Sequence, residues 1–98
     1  MRIIYKNRQI EKICTDASMA ERKYGINTAQ TIQQRIDQIL SVETIEEMCQ
    51  YNLGGCHKLK GDRKGQYAMK LPNGLRLIFN VTRDLVQIAE IMDITDYH

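Results

Sequence analysis

Tryptophan is absent from this sequence, and its 98 residues include only one proline, one phenylalanine and three cysteines. With so few large aromatics, the core must be filled by Ile, Leu, Met and the five Tyr. The cysteines, Cys14, Cys49 and Cys56, are odd in number and form no Cys-x-x-Cys pair. That pattern fits reduced thiols and not the disulfide framework that staples small secreted domains. Zinc held by Cys49, Cys56 and His57 would want a fourth ligand, and none is evident. No run approaches the roughly 18 apolar residues that span a bilayer, and the opening "MRIIYKNRQI" lacks a signal-peptide core. The expected location is therefore cytoplasmic, with no membrane partner.

What is present suits an ordered protein. A hydrophobic share of 43% against 27% charged residues is too apolar for a disordered chain. The length fits one domain over residues 1–98 and is too short for two.

The chain reads as helices first and strands afterwards, which predicts an α+β fold. "RIIY" at 2–5 is a short strand candidate. Ile10, Ile13, Cys14, Ala17, Ala20 and Tyr24 then recur at helical spacing, and Gly25 closes the segment. Asn27 and Gln30 resemble a capping box ahead of one apolar stripe of Ala29, Ile32, Ile36, Ile39 and Leu40. Thr44 and Glu47 repeat the arrangement before "NLGG" breaks the helix. After Gly55 come short runs separated by the turns "GDRKG", "PNG" and "TRD", as in an antiparallel meander. Asp62 reads as a turn former. Leu75, Leu77, Phe79 and Val81 alternate onto one face, so helices should pack on that face of the sheet and leave the other for function.

Net charge is only +2, but it is unevenly distributed. Between His57 and Arg76 stand Lys58, Lys60, Arg63, Lys64, Lys70 and Arg76 against one acid, Asp62. From Asp84 onward there is no Lys or Arg. A basic stretch of this kind can contact phosphates, although a solvated hairpin reads the same from charge alone.

Side by side, the strands would bring His57, Lys60 and Arg76 toward the closing Asp96, Tyr97 and His98. Cleaving RNA through its own 2′-hydroxyl needs a base for that proton, an acid for the leaving 5′-oxygen, and cations for the charge gathering on phosphorus. Two histidines with Lys and Arg supply those types without a metal or other cofactor. Histidine suits both proton roles because its unperturbed pKa of about 6.5 lies near working pH. Asp96 and a terminal carboxylate would raise that of His98 by favouring its cation.

At "HKLKGDRKGQYAMKLPNGLRLIF" and the closing "ITDYH", the sequence resembles the HigB-type toxins, the plasmid maintenance system killer group of the RelE/ParE superfamily. Carrying the likeness are His57, Leu59 to Asp62, Gly65, Arg76 to Phe79 and the triplet Asp96-Tyr97-His98. The resemblance implies helices on a twisted antiparallel sheet, similar to microbial ribonucleases, and cleavage of messenger RNA on the ribosome. It implies a HigA-like helix-turn-helix antitoxin as partner, through which the toxin meets operator DNA only indirectly. By position it makes His57, Lys60, Arg76, Asp96, Tyr97 and His98 catalytic, and no cofactor is implied. Lys58, Arg63, Lys64, Tyr67 and Lys70 would then bind substrate. The chain departs from the group where it has Lys58 in place of a common proline, Gln66 and Tyr67 in place of an aromatic pair, and Gly74 and Leu75 in place of Asn and an aromatic. Bases are held by aromatic stacking worth about 1–3 kcal/mol each, so these departures bear on base preference, with Tyr67 and Tyr97 as substitute platforms. Other functions expected of this superfamily are gyrase binding in the ParE manner and a silent partner in operator repression.

Overall fold

The computed structural model describes residues 1–63 and 65–96. Its first strand, β1 (Arg2–Tyr5), leads into α1 (Arg8–Thr15), which Asn7 opens by accepting from the Ile10 amide at 2.9 Å. The helical spacing from Ile10 to Tyr24 is shared by two helices, because Asp16 breaks it. Its extended backbone ends α1, and its carboxylate accepts from Ser18 and Met19 to open α2 (Ala17–Tyr24). Asp competes for backbone donors in this way wherever the chain can leave the helix.

The long α3 (Ile26–Ser41) starts at Gly25 with no side-chain cap, so Asn27 and Gln30 do not form the expected box. Ala29, Ile32, Ile36 and Ile39 do form its buried stripe, whereas Leu40 is 55% exposed. For α4 (Ile45–Gln50) the expected cap is present: Thr44 Oγ1 accepts from the Glu47 amide at 3.2 Å.

The strands β2 (His57–Lys58), β3 (Gln66–Lys70), β4 (Leu75–Arg83) and β5 (Gln87–Asp96) join β1 in a five-stranded sheet of order β1-β5-β4-β3-β2. Every pairing is antiparallel except that of β1 with β5, which is parallel and makes the sheet mixed. The reversal after β4 lies further along than "TRD" suggests, and leaves Leu85 fully in solvent.

Helices cover one face of the sheet, as the alternation in β4 predicts. Leu77, Phe79, Ala89 and Ile91 are fully buried there with Ile32, Ile36, Ile39 and Met48. Each large side chain so buried contributes roughly 1.5–3 kcal/mol of transfer free energy. The opposite face is not left bare, because a smaller cluster of Leu59, Ala68 and Ile78, with Met92 beside it, lies on that side.

Candidate active site

The second face is built in cross-strand rows, since residues paired across a ladder point the same way. One row runs His57, Ala68, Ile78, Asp93, and the next runs Lys70, Arg76, Thr95. His57, Lys70 and Arg76 therefore occupy adjacent rows of one face, although they are distant in sequence.

The imidazole of His57 is exposed, and its Nδ1 lies 3.1 Å from the carbonyl oxygen of Gly55. A carbonyl oxygen only accepts, so Nδ1 carries a proton. Nε2 is then left with the lone pair when the ring is neutral and with a second N–H when it is charged. One backbone contact thus orients the ring for proton transfer in either direction.

Gly55 also carries Lys70. At φ +66° it occupies the left-handed region, and a Cβ there would lie 2.9 Å from Cδ of Lys70. The lysine stem crosses the glycine whose carbonyl holds the histidine. Arg35 Nε donates to the Lys70 carbonyl at 2.8 Å and fixes that backbone from the helical side. Arg76 donates to the Leu75 carbonyl at 3.0 Å and is half-buried.

Lys58 and Lys60 are both exposed. Lys60 follows Leu59, whose side chain is buried in the smaller cluster and whose amide donates to Gln66 at 2.8 Å. It leads into the 3₁₀ turn Gly61–Arg63, where Arg63 reaches Asp93 at 3.3 Å and Gln66 at 3.3 Å.

Three expected roles need correction. Arg63 was expected to bind substrate, but its guanidinium is engaged by Asp93 and Gln66, so it holds the turn down on the sheet. Tyr67 was expected as a stacking platform, yet its ring is 8% exposed on the helical side and stacks on Phe79 at 5.8 Å. Asp96 pairs with Leu75, which packs against the main core, so register gives it the face opposite to His57 and Arg76. Its carboxylate lies near Gly74, where an added Cβ would meet Oδ1 at 3.5 Å. Lys64, Tyr97 and His98 lie outside the described residues.

The sequence reading missed Asp93, Thr95 and the Gly55 carbonyl. In β5 Ile91 pairs with Phe79 but Asp93 pairs with Ile78, so Met92 is an extra residue. Such a bulge shifts the alternation by one and brings Asp93 and Thr95 onto the cationic face. Nothing in "IAEIMDI" marks where it falls. Among the described residues, no group of three or more His, Cys, Asp or Glu could hold a metal ion. No described helix is long and apolar enough to cross a membrane.

No protein-family model and no curated protein sequence matches the chain. Solved structures do. A YoeB/ParE toxin from Agrobacterium tumefaciens superposes with a TM-score of 0.65 at 17% identity, covering 100% of both chains. A YoeB-YefM complex from Staphylococcus aureus gives a TM-score of 0.61 at 15% identity, covering 100% of this chain and 97% of the other. The chain has the fold of these toxins.

Proposed function

We propose that this protein is the toxin of a type II toxin–antitoxin system and a ribosome-dependent endonuclease of messenger RNA, of the HigB-like kind. The observation that carries the reading is His57, oriented through Nδ1 by Gly55, on the same sheet face as Lys70 and Arg76. A phosphodiester laid across that face would meet Nε2 beside two cations. His57 would exchange the proton of the 2′-hydroxyl or of the leaving 5′-oxygen, and Lys60, Lys70 and Arg76 would balance the charge on phosphorus. These groups act without a metal, and His98 is the proposed second proton carrier. The modest net charge of +2 argues against tight binding to free RNA, since such affinity scales with the phosphates neutralised. Dependence on the ribosome fits that. A fold shared with a YoeB-YefM complex supports an antitoxin partner, for which a HigA-like helix-turn-helix protein is the proposed form.

The test is a reconstituted translation reaction with end-labelled messenger RNA, mapped by primer extension with ribosomes present and absent. Cuts are expected only on translating ribosomes. His57→Ala should slow them by roughly 10²–10⁴-fold, the usual worth of a positioned acid or base. Growth arrest with no cuts in either reaction, undiminished in His57→Ala and His98→Ala, would overturn the reading in favour of a protein target such as gyrase.

A further inference from the structure

The segment between α4 and β2 brings two cysteines together. Asn52, Gly54 and Gly55 all have positive φ, and amides of Asn52, Gly55 and Cys56 donate to carbonyls three residues back, so the chain doubles on itself within one tight loop. The sulfurs of Cys49 and Cys56 consequently lie 4.0 Å apart. Cys49 is exposed and Cys56 is buried, and both are free thiols. A disulfide needs about 2.05 Å, a closure of about 2 Å that two side-chain rotations with a small loop adjustment can supply.

We infer that Cys49 and Cys56 are a thiol–disulfide exchange pair whose oxidation displaces His57. The oxidant is a low-molecular-weight disulfide of the glutathione type. The exposed Cys49 thiolate attacks one sulfur of that disulfide, forms a mixed disulfide and releases one thiolate. Cys56 Sγ, as thiolate, then attacks Cys49 Sγ and expels the second thiolate. Two protein thiols are oxidised to one disulfide, one small disulfide is reduced to two thiols, and two protons pass to solvent and the released thiolates. Burial pushes the Cys56 thiol up, which slows the second step. Proximity within a preformed loop offsets that loss, since a nucleophile held beside its target acts as though highly concentrated.

The coupling to His57 rests on the function proposed above, whereas bond formation does not. Cys56 directly precedes His57, and the Gly55 carbonyl that orients the imidazole directly precedes Cys56. A shift of that backbone moves the ring relative to Lys70.

The purified reduced protein is incubated with glutathione disulfide, and its intact mass and peptide map are read alongside messenger RNA cleavage. A product lacking two hydrogens, with residues 49 and 56 crosslinked and reversed by dithiothreitol, is expected. Cys56→Ser should stop at one glutathione on Cys49, and Cys49→Ser should give no 49–56 product. The oxidised protein should cut on the order of 10- to 100-fold more slowly. Cys49→Ser should keep the basal rate and lose its sensitivity to oxidant. A wild-type protein that stops at the mixed disulfide, or that links through Cys14 or to a second copy, would overturn the pair. An intact 49–56 bond with an unchanged cleavage rate would overturn its coupling to His57. Absence of cleavage by the reduced protein would bear on the nuclease reading, and the mass would still decide the pair.

Discussion

Arg63 reaches across the sheet face to Asp93, with its Nη2 3.3 Å from Oδ2, and so ties the Gly61–Arg63 turn to a strand thirty residues further on. The turn is thereby anchored at two points, Leu59 in the apolar cluster and Arg63 on the carboxylate. Lys60, between them, is exposed.

Breaking that tie should cost little stability, because the two side chains are 32% and 43% exposed. Partly solvated pairs are worth up to about 1 kcal/mol. Arg63→Ala, Asp93→Asn and the double variant are expected to unfold in urea within about 1 kcal/mol of one another. Cleavage should fall by about tenfold in all three, because a loosened turn no longer places Lys60. A double variant as impaired as either single one identifies a shared function. Additive losses would mean that Arg63 acts on the substrate independently of Asp93.

Tyr67 gives a contrasting case. Its ring stacks on Phe79 within the core, so Tyr67→Ala should lose about 3–5 kcal/mol of stability, as large-to-small aromatic changes do. Tyr67→Phe should keep cleavage and codon preference unchanged. A Phe variant with altered codon preference would show that the hydroxyl reaches the RNA.

Gly55→Ala combines two penalties: a left-handed φ of +66° and a Cβ 2.9 Å from Lys70. Strain at such positions costs about 1 kcal/mol or more. The lysine stem must also move, and the loop carrying the His57 acceptor with it. The expected result is a modest drop in denaturation midpoint with a loss of cleavage on the order of 100-fold. Gly61→Ala tests whether the effect is local. It shares the positive φ but has no atom within 4 Å of its added Cβ, so cleavage should be largely retained.

Alkaline pH should destabilise the fold through Cys14. Burial pushes its thiol from the ordinary 9.0 up to about 12. The unfolded chain therefore ionises first, and between those values the folded protein binds more protons. This contribution is complete below pH 9.0 and is lost as pH rises toward about 12. Urea midpoints measured from pH 8 upward should fall in the wild type and fall less steeply in Cys14→Ala, whatever the variant's stability at neutral pH. Parallel curves would assign the alkaline loss to Cys56, Tyr5 and Tyr24, all raised chiefly by burial.

Helices then strands, the buried face of β4 and the Thr44 cap were legible because each depends on residues close in sequence. The break at Asp16 was not, since its neighbours keep helical spacing while its own carboxylate takes the next helix's amides. The site divides along the same line. His57 and Arg76 were named from residue type and strand order, Lys70 only as a substrate contact that the resemblance implies, and register sets all three on one face. Asp96 was misplaced because one additional residue at Met92 reverses the phase of everything after it, and the choice of bulge depends on packing against Ile78. Tyr67 reads as a platform only until Phe79 is known to lie beneath it.

The parallel pairing of β1 with β5 has a kinetic consequence. Arg2 is hydrogen-bonded in register with Ile88, and β5 lies between the first strand and β4. During synthesis, β1 has no partner strand until β5 emerges, because the segments made earlier lie beyond it in the sheet. Contacts so distant along the chain form late and slow folding. The nascent chain can collapse its helices and pair β2, β3 and β4 early, but Asp93 and Thr95 join the rows of His57 and Arg76 only when β5 is added. Closure of the five-stranded sheet is thereby tied to the emergence of β5, which must pair with β1 on one side and β4 on the other.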